Sequence, residues 1–190
     1  MSRKIAVLVG SLRKEALSRK VAQAIAANAP AGSDFFYPEI GDLALFNQDL
    51  EATPPAQWTR FREAIKGATA VLWVTPEFNR SVPGALKNAL DVGSRPYGQS
   101  VFNGKPAAVV SISMGAVGGF GANHHLRQSL AFLNMPTLPG EAYIGAAHTL
   151  FDDKGVLSND DTRTFLAAFA RDFDRWISTH TADVNTARAA

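Results

Sequence analysis

The sequence predicts a single α/β domain in three layers, with helices on both faces of a parallel sheet. Two patterns carry that expectation. Five short apolar runs, over residues 5–9, 35–37, 70–74, 107–112 and 142–144, alternate with segments whose apolar residues return at helical spacing. The first run is continuously apolar rather than alternating, as a strand covered on both faces is. The 190 residues carry no linker or repeat that would divide them, and this length suffices for one sizeable core.

Each element follows from local chemistry. Lys4 and Gly10 bound the first strand, and Leu17, Val21, Ala24 and Ile25 mark the first helix by their spacing. Phe35, Phe36 and Tyr37 form a short second strand. Thr53, Pro54 and Pro55 open a helix with Trp58, Phe61 and Ile65 on one side; proline is tolerated there because the first N–H groups of a helix have no internal partner. The third strand holds Trp73, read as core. Pro83 starts the third helix, where Lys87 and Asp91 stand four residues apart, an ion-pair spacing. After the fourth strand, Gly118 and Gly119 precede a helix carrying Leu126, Leu130 and Leu133. The fifth strand is weaker. Ser158 and Asp161 read as a capping box leading into a helix with Leu166, Phe169, Phe173, Trp176 and Ile177 on one face. One domain is expected over residues 1–180, with a small, polar tail over 181–190 that frays.

Composition excludes several function classes. The formal net charge is only +2, too small for a nucleic-acid face. With no cysteine there is no disulfide, thiolate chemistry or Cys-ligated metal, which suits a reducing cytoplasm. The N-terminal apolar run stops at Gly10, too short for the core of a signal peptide, and no stretch is long enough to span a membrane. His124 and His125 are adjacent, so a helix would point them about 100° apart and deny them a shared metal. Asp152, Asp153, Asp160 and Asp161 lack calcium-loop spacing, and no Ser/His/Asp set suggests hydrolysis. No metal site is expected.

In open α/β sheets, ligands bind at the carboxyl ends of the strands, near the switch in strand order. The first such loop reads Gly10-Ser11-Leu12-Arg13-Lys14-Glu15-Ala16-Leu17-Ser18-Arg19. It runs into a helix N-terminus, whose free N–H groups and positive dipole suit a phosphate. Ser11 and Ser18 add hydroxyls, and Arg13 adds a guanidinium fork. Neither G-x-G-x-x-G nor a P-loop is present, so the implied ligand is a mononucleotide. The same residues also fit a plain serine cap and a solvated arginine. The second loop contains Pro76, Glu77, Phe78 and Asn79 and is stiffened by Pro76 and Pro83, which suits holding a flat ring. Phe78 offers an aromatic wall and Asn79 an amide. The third runs from Ser113 through Gly115, Gly118, Gly119 and Gly121; its glycines let backbone N–H groups approach a ligand. Arg95, after the third helix, is a candidate for attracting an anion, and equally a solvated side chain.

The segment from Pro76 to Asp91 resembles the P-E-Y/F-N-x-S-x-P-G-x-L-K-N-A-I/L-D signature of the NADPH-dependent FMN reductase family, including its chromate and quinone reductases. The first loop resembles that family's G-S-x-R-x-x-S-x-N/S phosphate loop, and the likeness covers roughly residues 4–145. Ala16 departs from the usual serine, and Phe78 from the more usual tyrosine. The resemblance implies a flavodoxin-like α/β/α fold with strand order 2-1-3-4-5. It implies FMN held at its phosphate by Ser11, Arg13, the Leu17 backbone and Ser18, with Pro76, Glu77, Phe78 and Asn79 lining the isoalloxazine. Ser113, Gly115 and Gly118 would lie beside the ring. It further implies hydride transfer from NADPH or NADH by a ping-pong route to small-molecule acceptors: quinones, chromate or ferric complexes. The flavin then carries the chemistry with no side chain as acid or base. A homodimer or homotetramer is expected from the likeness alone. The other reading is a flavodoxin-like electron carrier, although such carriers are typically acidic and carry a T-x-T-G-x-T loop, and this chain has neither feature.

Overall fold

The computed structural model describes residues 3–187, with side chains through residue 181. Strands β1 (Arg3–Val9), β2 (Ser33–Phe36), β3 (Ala70–Pro76), β4 (Ala107–Ile112) and β5 (Ala142–Ile144) form one sheet in the order β2-β1-β3-β4-β5. Every neighbouring pair is parallel, with Ile5 opposite Ala70 and Val71 opposite Ala107. The helices are α1 (Leu17–Ala27), α2 (Ala56–Lys66), α3 (Gly84–Gly93), α4 (Phe120–Phe132) and α5 (Asp160–Ala187). This is the flavodoxin-like arrangement that the resemblance implies.

Successive strand residues face opposite ways, so each strand supplies both cores. Ile5, Val7, Val9, Leu72, Val74, Val110 and Ile112 pack against Val21 and Ile25 of α1 and Leu166, Phe169, Phe173 and Ile177 of α5. Ala6, Leu8, Val71, Trp73 and Val109 pack on the other side against Trp58, Phe61 and Ile65 of α2, Leu86 and Leu90 of α3, and Leu126 and Leu130 of α4. Fully burying one such large side chain contributes roughly 1.5–3 kcal/mol, which is why the unbroken apolar runs of β1 and β3 end in the middle of the sheet.

Three local expectations are corrected. The second strand begins at Ser33 and ends at Phe36, so Tyr37 lies beyond it. Helix α5 is capped by Asn159, whose Oδ1 accepts from the Thr162 N–H at 2.8 Å; the Ser158 hydroxyl donates instead to the Leu150 carbonyl at 3.2 Å. The same helix continues to Ala187, through most of the segment expected to fray, and the rest of that segment lies outside the described residues.

The connection between β2 and α2 carries little regular structure and is held by side chains. Asn88 of α3, 7% exposed, accepts from the Phe46 N–H at 2.9 Å and donates to the carbonyls of Leu43 and Ala44 at 3.1 and 3.2 Å. Trp58 Nε1 donates to the same Ala44 carbonyl at 2.8 Å. The chain leaves β1 for one side of the sheet and later returns to build β3 on the other, so the loops after β1 and β3 diverge. Ligands sit in the crevice between such loops.

Candidate functional site

The loop after β1 enters α1 without a side-chain cap, and its cap position is Ala16, not Ser18. Ser18 lies inside the first turn, 2% exposed, and its Oγ is buried with no hydrogen-bond partner. Among the described residues, the Arg19 and Lys20 N–H groups are taken by the Ala16 carbonyl at 3.0 and 3.2 Å, while those of Leu17 and Ser18 meet no protein acceptor. Arg13 is exposed, and its N–H makes only a long 3.4 Å contact to the Ser11 hydroxyl. A buried hydroxyl without a partner is costly and rare. Beside two open N–H donors and a positive helix end, it is a donor set for an anion of phosphate shape. The residues present therefore fit the FMN phosphate.

The loop after β3 is a tight two-residue turn. Phe78 and Ser81 exchange both backbone hydrogen bonds, at 2.9 and 2.8 Å. Asn79 and Arg80 between them adopt φ of 49° and 61°. Positive φ at two successive non-glycine residues costs energy and is held only where the surroundings impose it. The Phe78 ring is 63% exposed, so it is rim rather than core. Pro76 ends β3 and is half-buried. The Glu77 carboxylate reaches α4, where Oε2 accepts from the Ala122 N–H at 3.2 Å.

The loop after β4 folds back on itself. The Ser113 Oγ accepts from the Gly115 N–H at 3.0 Å, and the Gly115 carbonyl accepts from Ala146 N–H at 3.1 Å. Met114 and Val117 are exposed at its crest, as Phe120 is at the start of α4. Gly118 is not at the crest. It is buried at φ 64°, where a Cβ would meet the Tyr143 carbonyl carbon at 2.7 Å, so its lack of a side chain serves the packing of this loop on β5. Ser113 is half-buried and Gly115 is exposed.

Around this rim lies an aromatic group that the sequence reading did not isolate. Phe120 packs at a tilt against His124 with ring centroids 4.3 Å apart and lies 5.7 Å from Tyr143. The Tyr143 hydroxyl and His124 Nε2 are 3.0 Å apart. Withdrawal from water, and then the neighbouring Glu141 carboxylate, push the Tyr143 phenol up to about 12. The signal was available: Phe120 and His124 stand four apart on a helix. Tyr143, from another strand, is visible only in the fold. His125 is exposed and bonds Ser81 at 3.0 Å. Arg95 is not a free cation: it grips Glu51 with two bonds of 2.9 and 3.0 Å, and that guanidinium holds the Glu51 carboxyl below its ordinary range.

The cavity beneath Leu12, between Arg19 and Tyr37, measures only about 60 Å³. Ligand pockets are typically several hundred Å³, so this cavity alone would not enclose an isoalloxazine. Two larger hollows, about 610 and 680 Å³, lie on the flank between α3 and α4, and the exposed Phe132 lines both.

Fold and site together define a flavodoxin-like mononucleotide-binding domain. Residues 3–149 match the NADPH-dependent FMN reductase family, and the chain belongs to it. It is 62% identical over 175 residues to a quinone reductase of Pseudomonas putida, covering 91% of this chain and 94% of that one. It is 42% identical over 178 residues to a 2-hydroxy-1,4-benzoquinone reductase of a Burkholderia species, covering 93% and 97%. Among solved structures, FerB, a flavoenzyme NAD(P)H:(acceptor) oxidoreductase of Paracoccus denitrificans, superposes with a TM-score of 0.88 at 38% identity, covering 94% and 98%.

Proposed function

We propose that this chain is an FMN-dependent NAD(P)H:quinone oxidoreductase. The observation that carries the reading is the buried, partnerless Ser18 Oγ beside the open Leu17 and Ser18 N–H groups, a phosphate cradle at the β1–β3 crevice. The names of the relatives support the acceptor class.

FMN, when bound, would supply the redox chemistry between nicotinamide and quinone. The chain's own tasks are binding and orientation. Ser11, Arg13, Leu17 N–H and Ser18 hold the phosphate. Pro76, Phe78 and Asn79 present a rigid edge to the ring, fixed in advance by the strained turn, so little ordering cost falls on binding. Ser113 and Gly115 close the far side. A single open face serving donor and acceptor in turn predicts ping-pong kinetics. Small acceptors such as chromate and ferric chelates have access to the same face. The cysteine-free composition supports action in the cytoplasm. Self-association as a dimer or tetramer is supported by Phe132 and Tyr97, each 89% exposed on one flank.

Anaerobic titration of the FMN-loaded protein with NADPH and with NADH tests the proposal. Bleaching of the flavin by either, followed by reoxidation on adding benzoquinone, is the expected result. A flavin left yellow by both nicotinamides defeats the reductase reading and leaves an electron carrier.

A further inference from the structure

Helix α4 begins in an unusual way. Its cap position is Gly119, at φ 77° with no side chain to offer, and its first turn contains no acidic residue. Such a helix leaves N–H donors unmet and a positive end uncompensated. The compensation comes from 45 residues away: Glu77, in the loop after β3, brings Oε2 to 3.2 Å from the Ala122 nitrogen. The approach depends on Gly121. A Cβ there would sit 2.7 Å from the Arg80 carbonyl oxygen and 3.0 Å from Glu77 Oε2. The turn that would line the isoalloxazine and the start of α4 are thus pressed together, with a carboxylate between them.

We infer that Glu77 is a positioning residue that sets the charge met by the reduced cofactor, because its carboxylate takes up the positive end of α4. This rests on the FMN reading. Reduced flavin carries negative charge that a helix N-terminus would stabilise. Here the helix end is engaged by a fixed anion whose side chain is only 15% exposed, while its nearest cation, Arg80 at 3.5 Å, is 83% exposed and screened by water. The loop therefore opposes reduction, keeping the bound cofactor a strong donor toward quinones.

Glu77→Gln separates charge from structure, since the amide keeps the size and an acceptor for the Ala122 N–H. The expected result is that reduced FMN gains about tenfold in binding relative to oxidised FMN. For a two-electron couple that is a rise of about 30 mV in midpoint potential, read by equilibration against redox dyes. Arg80→Gln, at an exposed side chain, removes the partial compensation and should move the potential the other way. It provides an independent reading should Glu77→Gln fold poorly. A pure helix-capping role predicts lost thermal stability in Glu77→Ala and no movement of potential in either glutamine variant. Potentials unmoved in variants that bind FMN overturn this inference alone. Wild-type protein that takes up no FMN overturns the cofactor reading and the inference with it.

Discussion

Replacing Ser18 with alanine should have opposite effects on the empty and the loaded protein. Without ligand, the Ser18 Oγ is buried and makes no hydrogen bond. An unsatisfied buried hydroxyl costs about 1–3 kcal/mol, so its removal should leave the FMN-free protein unchanged or up to about 1 kcal/mol more stable. For a chain of this size that is a rise in Tm of roughly 2–4 °C. With FMN, the same hydroxyl would donate to a charged phosphate oxygen, an interaction of about 1.5–3 kcal/mol. Its loss should weaken FMN binding roughly 10- to 150-fold. Thermal unfolding of the FMN-free variant gives the first quantity, and quenching of flavin fluorescence on titration gives the second. An unchanged dissociation constant together with a less stable empty protein would refute the reasoning, because Ser18 would then be an ordinary structural residue.

Arg13→Ala should weaken FMN by about 1.5–3 kcal/mol in the same titration while leaving the melting of the FMN-free protein alone, since the side chain is exposed. Asn88→Ala should destabilise by about 2–3 kcal/mol, read as a lower urea midpoint at constant slope, because the Leu43 carbonyl and the Phe46 N–H lose their partner while the Ala44 carbonyl keeps only Trp58. Tyr143 contributes stability that is fully present below the ordinary tyrosine pKa near 10 and lost as pH rises toward about 12, since its folded-state pKa is raised. Urea midpoints at pH 9 and pH 11 should therefore fall further in the wild type than in Tyr143→Phe, and an equal fall in both would show that other groups govern alkaline unfolding.

The strands were legible because burial on both faces leaves a plain mark in sequence, an unbroken run such as that around Leu8 or Leu72. Phosphate chemistry was legible in Ser11, Arg13 and Ser18, but not the reason Ser18 is special. Serine is a common cap, and only the fold shows that Ala16 holds the cap position and Ser18 the interior. Similarly, Ser158 and Asn159 are both good caps. Ser158 loses the role because the Leu150 carbonyl, brought close by the Phe151–Leu157 pairing, claims its hydroxyl. The partners of Glu77 and Arg95 were illegible for one cause: each lies more than 40 residues away, and no local periodicity carries that information. One clue to Glu77 was present. A helix opening on Gly118 and Gly119, with no Ser, Thr, Asp or Asn at its start, must find an acceptor elsewhere.

The turn at Asn79 and Arg80 has a consequence for how this molecule can change. Glycine at Arg80 would relax a left-handed backbone that an arginine adopts only at a cost of about 1–2 kcal/mol. A hardier version of the protein thus lies a single substitution away. Reaching it would also remove the cation that partly offsets Glu77, so the same change that steadies the turn should lower the potential of the bound cofactor.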